Sequence, residues 1–221
     1  MKKNLTEMVF ILDRSGSMSG LETDTIGGFN SMIEKQKSEE GEAYVTTVLF
    51  DHEYELLHDH IDVKMVEPIN NHDYFARGTT ALLDAVGKTV DSIGARLSKT
   101  PEEDRPEKVI FVITTDGYEN DSKEYSKTKV KEMIEHQQEK YSWTFMFLGA
   151  NIDAVGEAAS IGINASHSHT YTASAQGTSS VYDAVAKSMS SIRSIDIDSL
   201  EGFTYTDAVD CVLGAVLPNI E

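Results

Sequence analysis

Three stretches of the chain, "MVFIL" (8–12), "KVIFVITT" (108–115) and "WTFMFLGA" (143–150), are apolar at nearly every position and not at every second one. A strand of that kind has no solvent face, so it needs cover on both sides. Between these runs lie patterns with a helical period: Ile26, Phe29 and Ile33; Leu82, Val86, Val90, Ile93 and Leu97; Val130, Met133 and Ile134; and later Val181, Val185, Met189 and Ile192. Strand and helix alternating over short links predict a three-layer α/β fold. Its open, mostly parallel sheet carries helices on both faces and is joined by right-handed crossovers.

The run "AYVTTVLF" supplies a further strand, and "YELLHDHIDV" follows it after only Asp51, His52 and Glu53. So short a connection makes a hairpin, which predicts an antiparallel strand at the edge of the sheet. A small helix with Val155, Ala158 and Ala159 leads to a weak strand near "HTYTA", and "LSKTPEEDRPEK" reads as an exposed loop. The segment 203–221 places Val209, Val212 and Val216 at helical spacing and is expected to pack on the same domain, with Cys211 as a core thiol. With 221 residues, 40% of them hydrophobic and 25% charged, residues 1–221 are expected to share one core in a single domain.

Charge restricts the partners. Asp and Glu number 37 against 19 Lys and Arg, and the resulting charge of -18 opposes phosphate backbones and anionic lipid, so neither nucleic acid nor membrane is expected as a partner. A lone cysteine leaves no intrachain disulfide, and no apolar run resembles a signal segment or reaches membrane-spanning length. The expectation is a cytoplasmic protein.

In an open sheet of this kind the functional crevice lies beyond the carboxyl ends of the central strands. Asp13 ends the first apolar run and Asp116 follows "KVIFVITT", while Ser15 and Ser17 stand in the loop after Asp13. Two carboxylates and neighbouring hydroxyls form an oxygen-rich set. That suits a hard divalent cation such as Mg2+, which takes about six oxygens at ~2.0–2.1 Å and keeps some of its waters. No cysteine or histidine stands in the loop, which disfavours zinc.

The run Asp13-Arg14-Ser15-Gly16-Ser17 matches the D-x-S-x-S element of the von Willebrand factor A domain. "RGTTALLDAV" resembles the second loop of that family and "TTDGYEN" its third, and the resemblance covers nearly the whole chain in order. "FLGANIDAVGEAASIGI" is similar to segments of small stand-alone prokaryotic members. The resemblance implies a metal-ion-dependent adhesion site, in which Ser15 and Ser17 touch the metal through their hydroxyls. Asp13 and Asp116 then act mainly through waters and by holding those hydroxyls. The second loop should supply a threonine; Thr80 fits the register of the following "ALLDA", with Thr79 as the alternative. The implied metal set is therefore Asp13, Ser15, Ser17, Thr80 and Asp116, holding Mg2+ in preference to Mn2+ or Ca2+.

Neutral inner ligands leave such an ion electrophilic toward one more oxygen, supplied by an Asp or Glu carboxylate of a protein partner. The implied function is a metal-dependent protein-protein interaction module and not an enzyme. A serine hydrolase fails, because Gly16, Ser17 and Gly20 miss the G-x-S-x-G register. A Mg-dependent phosphohydrolase or phosphotransferase of the haloacid dehalogenase type is the alternative. It would use Asp13 as nucleophile, but Ser15 stands where that chemistry needs a second acid.

Other residues have simpler readings beside functional ones. Ser15 or Ser17 alone would serve as a helix cap. His58 and His60, like His167 and His169, lie two apart on predicted strands and hence on one face, either solvated or able to share a metal. Asp51 either borders the site or starts a turn.

Overall fold

The computed structural model describes residues 1–217. Six strands, β1 (Lys2–Asp13), β2 (Glu42–Phe50), β3 (Tyr54–Asp62), β4 (Pro106–Thr115), β5 (Thr144–Ala150) and β6 (Ser168–Tyr171), form one sheet in the order β3-β2-β1-β4-β5-β6. Every neighbouring pair is parallel except β2 with β3, which are antiparallel across the tight turn at Asp51, as the short connection requires. The helices are α1 (Glu22–Lys37), α2 (Leu82–Lys99), α3 (Lys127–Tyr141), α4 (Ala154–Ser160), α5 (Ala175–Ser194) and α6 (Tyr205–Val216).

Strand pleating sends alternate residues of β1 to opposite cores. Met8, Phe10 and Leu12 meet Phe29 and Met32 of α1 and Val181, Val185 and Met189 of α5. Val9 and Ile11 meet Val86 and Val90 of α2 and Val130 and Ile134 of α3. Each such side chain removed from water contributes about 1.5–3 kcal/mol, so both faces of β1 carry stabilising apolar contacts and the strand reads as a continuous hydrophobic run.

The segments predicted outside the central strands differ in detail. On α6 the buried stripe is Tyr205, Val209, Leu213 and Leu217, which packs near α5; Val212 and Val216 lie on its flank. Cys211 is exposed and is no core thiol, because it falls about half a turn away from that stripe. Residues 218–221, the end of the expected packing segment, lie outside the described residues. On α4, Ala154 and Ala158 face inward while Val155 is exposed.

The expected exposed loop 97–108 is divided. Its first residues finish α2, a single 3-10 turn follows at Glu102–Asp104, and Pro106 already belongs to β4. Lys108 is buried; its ammonium donates to the carbonyls of Arg193 at 2.7 Å and Ile195 at 2.5 Å, and so closes the end of α5.

The first histidine pair does not share a face. The β2–β3 register shifts twice near Thr47, and His60 takes a left-handed backbone with φ of 52°. A bulge of this kind turns the next side chain over. His58 therefore bonds Thr47 at 3.0 Å, while His60 reaches Glu7 on the other face at 2.8 Å. His167 precedes β6 in a 3-10 turn and pairs with Asp210 at 2.6 Å, whereas His169 lies within the strand. Among the described residues no helix is long and apolar enough to cross a membrane.

From β1 the chain runs through α1 to β2 on one side, and from β3 through α2 to β4 on the other. The strand order thus reverses between β1 and β4, and the loops after these two strands open side by side.

Candidate metal centre

Asp13 is the last residue of β1 and is 1% exposed. One carboxylate oxygen accepts the N–H of Ser15 at 2.6 Å and the other accepts the hydroxyl of Thr115 at 2.5 Å. The Tyr74 hydroxyl donates to the Asp13 carbonyl from below. Asp13 thereby fixes the start of the loop and ties it to the end of β4. Ser15 Oγ lies 3.0 Å from Ser17 Oγ, and Ser17 Oγ donates to Asp116 Oδ1 at 2.5 Å. Neither serine side chain caps a helix: the 3-10 turn Gly16–Met18 has no side-chain cap bond, and α1 starts after Leu21. Their hydroxyls turn instead toward each other and toward Asp116.

The two threonines part company. Thr79 turns its hydroxyl to Asp121 Oδ2 at 2.6 Å on the exposed side of the loop. Thr80 is buried, and its N–H donates to Asn120 Oδ1 at 2.9 Å. A side-chain carbon added to Gly117 would stand 2.9 Å from Thr80 Oγ1 and 3.1 Å from Ser17 Oγ, so both hydroxyls border the space over this glycine. Any larger residue there would fill that space. The structure thus brings Asp13, Ser15, Ser17, Thr80 and Asp116 to one end of the sheet, and Thr79 faces away.

Burial pushes the Asp13 carboxyl up to about 6, reinforced by the nearby Asp116 charge and opposed by the Thr115 and Ser15 hydrogen bonds. Asp116 is likewise raised, chiefly by burial. Among the described residues no Lys, Arg or His forms an ion pair with either carboxylate. An all-oxygen donor set with two carboxylates and no cation of its own fits a hard divalent ion.

Sequence reasoning missed the residues that frame the loops. Glu119 accepts the N–H of Leu83 at 2.9 Å and of Ser122 at 2.8 Å, and Asp84 accepts the N–H groups of Lys123, Glu124 and Tyr125. These acids serve as backbone acceptors between the second and third loops. Asp51 sits at the end of β2 with 0% exposure. Asp51, His52 and Glu53 place one ligand-type atom each within 4.8 Å of one another. Asp51 Oδ2, however, accepts from Arg14 Nε at 2.8 Å and Arg77 Nε at 2.9 Å, which makes this group an ion-pair cluster. The signal available in the sequence was Arg14, a cation placed between two residues of the motif that needs a buried counter-ion.

The family of the von Willebrand factor type A domain matches residues 7–186. No curated protein matches the sequence. Among solved structures, proximal thread matrix protein 1 from the mussel byssus, with a zinc-occupied MIDAS motif, aligns with a TM-score of 0.59 at 16% identity over 86% of this chain and 47% of that one. The present chain thus spans about half the length of that protein. The vWF domain of a type V pili tip protein from Porphyromonas gingivalis aligns at 0.60 with 12% identity, covering 83% and 94% of the two chains. Manganese-loaded TRAP protein from Plasmodium vivax gives 0.55 with 16% identity, covering 78% and 70%. At these identities the likeness is one of fold.

Proposed function

The chain belongs to the von Willebrand factor type A family, and on that premise we propose that it is a metal-dependent protein-binding module. Ser15, Ser17 and Thr80 would hold the cation through their hydroxyls, with Asp13 and Asp116 orienting them and balancing its charge. The observation that carries the reading is the pair of carboxylates at the β1 and β4 ends, which have three hydroxyls beside them and, among the described residues, no basic partner. When bound, the cation supplies a Lewis-acidic position for one further oxygen, and a partner's Asp or Glu carboxylate is the proposed donor. Mg2+ is the proposed physiological ion on the hardness of the donors; Mn2+ and Zn2+, found in the related structures, and Ca2+ are the competitors. The proposal extends to residues 1–221 acting as one domain in the cytoplasm, without nucleic acid or membrane as partner and without catalysis.

The rival phosphohydrolase chemistry would need Asp13 to attack a phosphorus atom. Both of its oxygens are engaged and its side chain is sealed from solvent, which argues against that role.

Calorimetry with Mg2+, Mn2+ and Zn2+ tests the centre. The expected result is one site per chain that Ser15→Ala or Asp116→Ala weakens at least tenfold; unchanged binding in both variants would remove the assignment. Capture of proteins on the immobilised chain in Mg2+, in EDTA, and with Asp116→Ala as bait tests the use of the site. Partners retained equally under all three conditions would move recognition to another surface.

A further inference from the structure

We propose that Asp51 is a positioning residue of the metal centre, a strut that sets the first metal loop against the second without touching the ion. The proposal rests on the metal reading above. Its basis is the number of loop segments that end on one buried carboxylate. Oδ2 accepts from Arg14 Nε at 2.8 Å and from Arg77 Nε at 2.9 Å. Oδ1 accepts the Glu53 N–H at 2.8 Å and faces His52 Nδ1 at 2.9 Å, and the Asp51 carbonyl accepts the Ala81 N–H at 2.9 Å.

The positions of those donors give the contacts their meaning. Arg14 stands between Asp13 and Ser15 in the first loop, Arg77 lies just before Gly78 in the second, and Ala81 follows Thr80. Main-chain bonds continue the same strut: Arg14 N–H to the Phe50 carbonyl at 2.8 Å, Arg77 N–H to the Arg14 carbonyl at 2.8 Å, and Gly16 N–H to the Gly78 carbonyl at 3.0 Å. Gly78 adopts φ of 69°, a left-handed conformation, and His52 packs where a side chain would stand. The Phe75 ring lies 5.6 Å from the Arg14 guanidinium and 5.5 Å from that of Arg77, which holds the intervening segment against both cations. Ser15 and Ser17 thus hang on one arm of the strut and Thr80 on the other.

Asp51 itself is unsuited to the ion. Its carboxyl would be raised by burial, yet the Glu53 N–H and the Arg77 and Arg14 guanidinium groups outweigh that and hold it below its ordinary value. Two guanidinium groups fixed on its Oδ2 repel a cation. Its influence runs through geometry, and outer partners that orient metal ligands commonly account for 10–100-fold in affinity.

The test begins with Arg77→Gln, because Arg77 is part-exposed and its loss leaves the buried Arg14–Asp51 pair intact. The expected result is a melting temperature in EDTA close to wild type, Mg2+ and Mn2+ affinities lowered about tenfold, and faster amide exchange at Gly16 and Arg77. Arg77→Lys, which restores charge without the planar fork, should recover part of the affinity. Asp51→Asn should weaken metal binding further, at a cost in stability, since Arg14 Nη2 already lacks a partner. Wild-type affinity retained in both Arg77→Gln and Asp51→Asn overturns the positioning role and leaves the metal centre standing. A wild-type chain that binds no divalent ion overturns the metal reading, and this proposal with it.

Discussion

Glu7 and Asp13 lie on the same strand and face the same problem, since both carboxylates are buried, at 0% and 1% exposure. Their surroundings differ completely. Glu7 receives the Thr46 hydroxyl at 2.9 Å, His60 Nδ1 at 2.8 Å and the Arg96 guanidinium at 2.8 and 3.3 Å. Burial would raise its carboxyl, but the contacts with His60 and Arg96 prevail and hold it below its ordinary value. Asp13 receives one N–H and one hydroxyl and is pushed up to about 6. The fold neutralises a buried acid at Glu7 and again at Asp51, so the missing cation at Asp13 is a local property of the loop and not a general tolerance of buried charge.

The comparison breaks most visibly at Glu7. Glu7→Ala strips the counter-charge from Arg96 and a hydrogen-bond partner from His60 and should lower stability by about 2–3 kcal/mol, short of the ~3–5 kcal/mol for a wholly buried pair because both partners reach solvent. Denaturant unfolding measures it, and calorimetry on the folded variant should show unchanged metal affinity. A loss below 1 kcal/mol would mean that the two carboxylates are not opposites.

Asp13→Asn should act with the contrary sign. An acid whose folded value is raised binds its proton more tightly when folded, so its contribution falls as pH rises from its ordinary 3.8 to about 6. In EDTA, the stability of wild type relative to Asp13→Asn should therefore drop by about 2–3 kcal/mol between pH 4 and pH 7. Saturating Mg2+ should abolish that drop in wild type and leave Asp13→Asn unmoved. A variant less stable than wild type at pH 7 in EDTA would show that Asp13 is stabilised by something other than a cation. The smallest effect sharpens the picture of the site: Thr80→Ala should weaken metal binding about tenfold and Thr79→Ala less than twofold, with the reverse order assigning Thr79 instead.

Much of this arrangement was legible in the sequence, for identifiable reasons. Solid apolar runs force cover on both faces, so the layers and the parallel core followed from "MVFIL" and "KVIFVITT"; the short link at Asp51 gave the antiparallel edge. Asp13, Ser15, Ser17 and Asp116 are candidates because they stand at or just after the carboxyl end of a strand, whereas Thr80 is one only through the family resemblance of its loop. What stayed hidden depended on contacts between distant segments. His58 and His60 were assigned one face by period-two reasoning, and a bulge invisible in composition separated them. The expected stripe of Val209, Val212 and Val216 puts Cys211 in the core, whereas Tyr205, Val209 and Leu213 carry the buried face. Lys108 looked like part of a charged loop and instead closes a helix end supplied by α5. The strut at Asp51 needed β2, the first loop and the second loop in register, and none of these announces the others.

The bond from Ser17 to Asp116 joins residues 99 positions apart. The first loop offers Asp13 and its serines early in the chain, but the second carboxylate arrives only with the end of β4. Pairing β1 with β4 in parallel is a slow, long-range step of the kind that delays folding. An ion therefore has no complete nest to enter while the chain is still being synthesised or is only partly collapsed. On the proposed metal reading it would be a latch fastened after assembly, which resists unfolding and leaves the speed of folding to the sheet.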